Sequence, residues 1–190
     1  MLGCMKRLSY KNIISIFLIT VSVNAQYLHV IGKEVFDNKG DKIILKGMGL
    51  GGWLVPEGYM LGTWGSPTSI RNRITDLIGE DSTEAFYEKF EKNYVAEEDI
   101  NQLAEWGFNS VRLPFHYKTL SPTYGSFNEK GFSVIDSVIA WCSRNEIYLI
   151  LDMHVAPGSQ SGDENADGDE GAKLWDSPEN QEWAVDIWGE

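Results

Sequence analysis

Two short apolar segments of the sequence end in polar residues of the kind that bind or transform a substrate. Residues 147–151 are uninterrupted apolar sequence and are followed by Asp152 and His154. Residues 110–115 form a second strand-like segment, which contains Arg112. Continuous apolar strands of this length are typical of a parallel sheet with helices on both faces, and ligands bind at the carboxyl ends of such strands. We therefore expect a functional site where these two strands end.

Arg112 and His154 each admit a structural and a functional interpretation. Arginine is rarely buried without a carboxylate partner, so Arg112 either pairs with an acid inside the fold or orients a catalytic carboxylate and keeps it ionised. His154 is either a core imidazole with satisfied hydrogen bonds or a donor to a substrate hydroxyl. Its position at the end of a strand favours the functional interpretation.

Aromatic residues are frequent in the loops predicted on the same side as these strand ends: Trp53, Tyr59, Trp64 and Trp175. Aromatic faces pack well against the C–H faces of sugars, and they are otherwise costly to expose. Each residue alone is explained by ordinary packing. The four together favour a carbohydrate-binding cleft.

Two further motifs are matched by spacing but are incomplete. The glycines at 47, 49 and 52 have the spacing of a dinucleotide-binding loop, but the residues after them break a helix, so nucleotide binding is not expected. Residues 163–169 match the first seven positions of a calcium loop, but Leu174 replaces the final glutamate. A solvated acidic loop is favoured, and weak calcium binding by residues 163–170 stays open. The sequence predicts no cofactor and no metal site.

The remaining sequence supplies the elements that position these residues. Residues 29–31 and 34–36 predict an N-terminal β-hairpin, and residues 43–45 predict a strand that runs into the glycine cluster. Helical patterns extend from about 69 to 106, from about 129 to 145, and from Ser177 onward. The order β-α-β-α-β-α predicts an α/β fold with a parallel sheet. A closed eight-unit barrel needs about 250 residues, so we predict an N-terminal fragment with about the first three βα units.

The first 25 residues resemble a secretory signal. Lys6, Arg7 and Lys11 precede an apolar core at 13–23, and the small residue Ala25 suits a signal peptidase. The apolar run is shorter than the ~20 residues of a membrane-spanning helix. We predict cleavage after Ala25, and secretion of the chain 26–190 to the periplasm or the extracellular space. The formal net charge of −12, more negative still without the leader, argues against nucleic acid and membranes as partners.

Three segments together resemble glycoside hydrolase family 5, and especially its cellulase and exo-β-glucanase-like members: GGWLVPE at 51–57, GFNSVRLP at 107–114 and DMHVAPGSQ at 152–160. The resemblance covers the chain from about residue 28 onward. It implies a (β/α)8 TIM barrel, of which residues 26–190 are the truncated N-terminal part. It also implies hydrolysis of β-glucan-type polysaccharides or oligosaccharides by a retaining mechanism.

The resemblance further implies roles for individual residues. Arg112 occupies the position of an arginine that hydrogen-bonds the nucleophilic glutamate, and His154 that of a histidine that contacts the sugar. Glu57 matches a glutamate that grips hydroxyls of the same sugar, and Trp53 in the same motif is expected to bind it. The family's two catalytic glutamates follow the fourth and seventh strands, beyond Glu190, so this segment alone is expected to be inactive. A non-catalytic carbohydrate-binding barrel and a structural protein without ligand are the alternatives.

Overall fold

The computed structural model describes residues 27–190, so the predicted signal peptide at 1–25 lies outside the described residues. The chain divides into two compact units, Met1–Ile44 and Leu45–Glu190. In the part of the chain that the structure describes, no helix combines the length and apolar character needed to cross a membrane.

The first unit contains a three-stranded antiparallel sheet of order β1-β2-β3, formed by β1 (His29–Ile31), β2 (Glu34–Phe36) and β3 (Lys42–Ile43). The predicted hairpin is confirmed. The strand predicted at 43–45 was misplaced, because Lys42 and Ile43 pair back onto β2 instead of leading into the parallel sheet. Asp37 causes the reversal: its carboxylate accepts hydrogen bonds from the backbone N–H groups of Lys39 and Asp41, at 2.9 Å each.

The second unit alternates strands with helices. Its three strands are β4 (Gly47–Gly49), β5 (Ser110–His116) and β6 (Tyr148–Val155). Its helices are α1 (Gly58–Leu61), α2 (Pro67–Ile78), α3 (Glu80–Tyr94), α4 (Glu97–Glu105), α5 (Tyr117–Leu120), α6 (Glu129–Arg144) and α7 (Pro178–Gly189), with a short 3₁₀ turn at Glu164–Ala166. The strands form one parallel sheet of order β4-β5-β6. The predicted α/β class and parallel sheet are therefore confirmed.

The helical stretch predicted from 69 to 106 consists of three helices, each with an identifiable boundary. Ser66 caps α2 by accepting from the N–H of Ser69, and Pro67 fits the first turn. Gly79, at φ 81°, ends α2 and precedes α3. Extended backbone at Val95 and Ala96 separates α3 from α4. Gly107, at φ 81°, follows α4 as predicted.

The core of the second unit lies between the parallel sheet and its helices. Its central side chains, each almost fully buried, come from α4, β5 and α6: Ile100, Leu103, Val111, Leu113, Phe115, Ile135, Val138 and Cys142. Burial raises the pKa of the Cys142 thiol to about 11, so Cys142 acts as a small apolar packing residue.

Candidate functional site

The β5–β6 pairing brings the polar residues of the two strands to one edge of the sheet. Arg112 pairs with Ile150 in the register, and Pro114 pairs with Asp152. Asp152 and His154 are two residues apart on β6, so their side chains project from the same face of the strand. The structure therefore places Arg112 and His154 together, as predicted from the strand ends.

Arg112, Asp152 and His154 are in direct contact. The Arg112 guanidinium forms a salt bridge with Asp152, and its Nη2 lies 3.0 Å from His154 Nδ1. Asp152 Oδ2 is also 3.0 Å from His154 Nδ1. Since a guanidinium can only donate, it bonds Nδ1 when that nitrogen is unprotonated, whereas Asp152 accepts from Nδ1 when it carries the proton. Asp152 is thus the acid partner expected for Arg112, and it was not among the predicted site residues.

Glu57 joins this group from the loop that follows β4. Its side chain is buried, and its Oε1 lies 3.7 Å from His154 Nε2. The Glu57 carbonyl accepts from the N–H groups of Met60 and Leu61, so the first turn of α1 fixes the residue. The two nitrogens of His154 therefore face one carboxylate each. We call Glu57, Arg112, Asp152 and His154 the strand-end cluster.

Trp53 does not join the strand-end cluster. Its ring is only 2% exposed and belongs to the hydrophobic core. Its indole N–H donates to the backbone carbonyl of Glu91 on α3, at 2.8 Å. Gly52, at φ 73°, turns the chain just before Trp53. Stacking on a sugar needs an exposed ring face, whereas in this structure the Trp53 ring packs in the core and contacts α3.

The other three aromatic residues of the predicted cleft are exposed. Tyr59, Trp64 and Trp175 have 70%, 71% and 66% of their surface accessible. Trp64 lies under the Arg73 guanidinium, 4.9 Å from the ring centroid. The Trp175 indole donates to the Gln160 carbonyl at 2.8 Å, which fixes the ring beside the loop that follows β6.

A cavity of about 470 Å³ adjoins His154. Its other walls come from the loop after β6: Gln160, Ser161, Asp163, Glu164, Asn165 and Ala166. Gln160 donates to the His154 carbonyl at 2.7 Å and accepts from the Ala156 N–H at 3.1 Å, which closes the loop back onto the strand. The Asn165 amide makes no hydrogen bond to any other described residue. A volume of this size is within the range of ligand pockets, and it suits a sugar ring.

A larger cavity of about 580 Å³ lies among α2, α3 and α6. None of the four cluster residues lines it. Most of the charged side chains that line it already form ion pairs, Arg71 with Glu84 and Lys130 with Glu88. We therefore place the candidate site at the smaller cavity, where the imidazole lies.

The acidic segment 163–169 is folded against protein donors. Asp167 accepts from both the N–H and the hydroxyl of Thr68, and Asp169 accepts from the Ser66 hydroxyl at 2.6 Å. Among residues 27–190, no three His, Cys, Asp or Glu side chains form a group suited to a metal ion. The acids with the calcium-like spacing, Asp163, Asp167 and Asp169, thus accept hydrogen bonds from hydroxyl and amide groups of the chain itself.

A parallel sheet packed against helices, with a charged cluster at its carboxyl edge, is typical of α/β-barrel enzymes. Residues 72–188 match the sequence model described as Cellulase (glycosyl hydrolase family 5). Because the match covers more than half of the chain, the chain belongs to glycoside hydrolase family 5, as its motifs predicted.

Three curated relatives illustrate the range of the family. A β-xylosidase of Phanerodontia chrysosporium is 34% identical over 86% of this chain and 35% of its own length. A protein named probable glucan 1,3-beta-glucosidase A, of Aspergillus clavatus, is 26% identical over 96% of the chain and 45% of its own. Endoglucanase C of Acetivibrio thermocellus is 37% identical over 54% of this chain and 30% of its own length. The chain spans less than half the length of each.

Two solved structures share the fold. The rutinosidase of Aspergillus niger superposes with a TM-score of 0.58 at 16% identity, over 75% of this chain and 41% of that one. The structure titled AoRut gives 0.63 at 19% identity, with the same coverage. With the family match, these likenesses imply the TIM-barrel fold of glycosidases, to which the sheet β4-β5-β6 contributes.

Proposed function

We propose that the second unit, Leu45–Glu190, forms the sugar-binding part of a retaining glycoside hydrolase acting on β-linked glucans or related oligosaccharides. The observation that carries this proposal is the placement of His154. Its ring lies between Glu57 and the Arg112–Asp152 pair, and it opens onto a cavity of about 470 Å³. The names of the relatives, which include xylosidase, glucosidase and endoglucanase, support a β-glycan substrate.

The cluster has the chemistry to hold a sugar and to orient a nucleophile. Glu57 offers acceptor oxygens for sugar hydroxyls, and His154 offers a ring nitrogen that donates or accepts according to its tautomer. Arg112 is about half exposed, so its guanidinium can bond a second carboxylate while it keeps Asp152. We propose that this second carboxylate is the nucleophilic glutamate.

We propose that the general acid and the nucleophile lie beyond Glu190. Retaining enzymes need two carboxyl groups about 5 Å apart on either side of the scissile bond. The cluster's two acids are already engaged, because Asp152 binds Arg112 and Glu57 faces His154. Residues 26–190 are therefore proposed to be inactive without the later part of the barrel.

Secretion is proposed from the basic, apolar and small residues of the first 25 positions. N-terminal sequencing of the protein recovered outside the cell should give a chain that begins at Gln26. Retention of the unprocessed chain inside the cell would contradict this proposal.

The hydrolase proposal is tested with the full-length protein on β-1,3- and β-1,4-gluco-oligosaccharides and on aryl β-glucosides and β-xylosides. We expect release of reducing sugar, with the first product showing the β anomer by NMR. Replacing Glu57 by Gln should lower kcat/KM by about 100-fold or more, because a buried charged acceptor becomes a neutral amide and one of its two acceptor oxygens is replaced by a donor. Glu98→Gln, an exposed acid on α4, is the matched control and should behave as wild type.

Two other results would overturn the proposal. Sugar binding detected by tryptophan fluorescence without turnover would support the non-catalytic carbohydrate-binding barrel. An α-anomeric first product would contradict retention and leave an inverting hydrolase.

A further inference from the structure

The loop that walls the cavity beside His154 has almost no apolar anchor. We call residues 160–169 the acidic loop. Of the cavity-lining residues in it, Ala166 alone is buried, and Asp163, Glu164 and Asn165 are exposed. The loop has its own internal hydrogen bonds: the Asp163 carbonyl accepts from the N–H groups of Ala166 and Gly168, at 3.1 Å each. It is therefore a compact turn whose position must be set by polar contacts with the rest of the fold.

Asp167, which does not line the cavity, supplies three of those contacts. Its Oδ1 accepts from the Thr68 N–H at 2.9 Å, and its Oδ2 accepts from the Thr68 hydroxyl at 2.6 Å and from His116 Nε2 at 3.1 Å. Lys118 Nζ is 3.9 Å away. The carboxylate is only 10% exposed. One side chain thus joins the acidic loop to the first turn of α2 and to the end of β5.

The hydrogen-bond directions at His116 are fixed by its neighbours. The Lys118 N–H donates to His116 Nδ1 at 3.1 Å, so the proton of the neutral ring is on Nε2 and points at Asp167. Burial lowers the pKa of His116. Burial alone would raise the pKa of Asp167, but the hydrogen bonds from His116 and Thr68 outweigh it and hold that pKa well below its usual range. The pair is an ionised carboxylate held by a neutral imidazole.

Two further acids of the loop contact the same part of the chain as Asp167. Asp169 accepts from the Ser66 hydroxyl, and Glu164 accepts from the Gly65 N–H at 3.1 Å. Together with Asp167, these acids attach one side of the acidic loop to the segment 65–68. Glu164 itself and neighbouring residues of the loop line the cavity next to His154.

We propose that Asp167 is a positioning residue for the sugar site: by binding Thr68 and His116 it holds the acidic loop against the cavity beside His154. The inference rests on the proposed function, since it concerns the wall of that same site. Asp167 touches no substrate itself. Its carboxylate accepts three charge-assisted hydrogen bonds, two from exposed Thr68 and one from buried His116, which is more than any other acid of the loop accepts.

The test compares Asp167→Asn with wild type in the full-length protein. Asn keeps an acceptor for Thr68 but turns an N–H₂ group toward the N–H of His116, so the contact between the loop and β5 is lost. We expect KM for the gluco-oligosaccharide to rise about tenfold, with kcat within about twofold, because substrate binding is weakened and the reacting groups are unchanged. Hydrogen–deuterium exchange should become at least about tenfold faster in residues 160–169 and stay unchanged in β5 and β6.

Matched variants separate positioning from general instability. Thr68→Val removes the hydroxyl donor and should raise KM in the same direction by a smaller factor, whereas Thr68→Ser keeps the hydroxyl and should restore the wild-type value. Asp176→Asn, an exposed acid outside the acidic loop, makes the same charge change and should alter neither KM nor exchange.

The outcomes distinguish this inference from the proposed function. If wild type hydrolyses none of the substrates, the proposed function fails, and the exchange measurement still shows whether Asp167 holds the loop. If wild type is active and Asp167→Asn leaves KM and loop exchange unchanged, the inference is overturned. A fall in kcat together with faster exchange throughout the protein would also overturn it, because it would show a purely structural role.

Discussion

Asp152 is the residue that connects the guanidinium and the imidazole of the strand-end cluster. One of its oxygens, Oδ2, contacts both Arg112 and His154. We expect Asp152 to orient these two proposed site residues, as the outer partners of metal-binding histidines orient the ligands. Its removal should change activity more than stability, since the salt bridge is partly solvated and such pairs contribute little to folding.

Asp152→Asn should therefore lower kcat/KM of the full-length protein by about tenfold or more, with a small change in Tm. The amide still accepts a hydrogen bond from Arg112 but no longer balances its charge, so the guanidinium is less firmly held. Steady-state kinetics on a β-gluco-oligosaccharide measure the effect. Asp136→Asn, an exposed acid on α6, is the control, and equal behaviour of the two variants would contradict the assigned role.

His116 and Asp167 make the stability of the fold dependent on pH. Burial lowers the pKa of His116 from its ordinary 6.5, so the unfolded chain binds this proton more readily than the native chain. The contribution of His116 to the free energy of unfolding is then fully present above pH 6.5. It decreases as the pH falls from 6.5 toward the lowered native pKa. The carboxylate of Asp167 acts in the same direction at lower pH, because its stabilisation is present above its ordinary pKa of 3.8 and is lost well below it.

Thermal melts of the full-length protein between pH 7.5 and 5 test the histidine contribution. The groups facing His116 are Asp167, the Lys118 side chain and the Tyr117 ring. We expect Tm to fall on acidification, and we expect His116→Gln, whose amide can still donate to Asp167, to reduce the slope. An unchanged slope in His116→Gln would show that other groups cause the acid sensitivity.

Three of the four predicted site residues were found together because strand ends converge in a parallel sheet, whatever the side-chain details. Arg112 and His154 follow from this rule alone, and Glu57 followed from the family motif. The direction of a loop side chain has no such rule. Trp53 precedes Glu57 by only four positions, yet Gly52 turns its ring inward, onto α3. The contact of Asp167 with Thr68 joins residues 99 positions apart, and nothing in the spacing of either segment indicates it.

At the scale of elements, the close packing of α5 against α6 depends on Gly131. A methyl group at this position would overlap the carbonyl oxygen of Thr119 at the end of α5. Asn128, just before α6, donates to the same carbonyl at 3.0 Å, so the two helices are joined through one backbone group. Their separation therefore leaves no room for a side chain at 131.

Gly131→Ala should destabilise the full-length protein by about 2–3 kcal/mol, the upper part of the range for overpacking, because backbone atoms must move to relieve the overlap. Urea unfolding measures the change. Gly189→Ala on α7 has open space around the added methyl and should be close to neutral. Equal stability of the two variants would show that α5 and α6 separate easily.

The elements were predicted well where periodicity and end signals agree. The sequence located the hairpin, β5, α6 and the start of α7 at Ser177 to within a few residues. The long helical stretch before Gly107 was not divided. Gly79 is a stop signal that the prediction did not use, whereas the break at Val95 and Ala96 carries no proline or glycine. The strand at 43–45 was misplaced because three apolar residues alone do not indicate which strand they will pair with.

At the scale of the whole molecule, the sheet β4-β5-β6 has two open edges. β4 and β6 each pair on one side only among the described residues. Met48 on β4 and Ile150 on β6 are each 42% exposed, and Trp188 on α7 is 54% exposed. Large apolar groups next to unpaired strand edges are what a barrel would cover with its further units, and left open they favour association.

Residues 26–190 expressed alone should therefore form aggregates. Light scattering after size-exclusion chromatography would measure the association, and a thermal scan would test for a cooperative transition. Ile150→Lys places a charge on the β6 edge and should increase the soluble fraction. Leu77→Lys removes an even more exposed apolar residue from α2, far in sequence from either sheet edge, and should not increase the soluble fraction. A monomeric segment with a cooperative melt would contradict the prediction and show that three strands and their helices suffice for an independent fold.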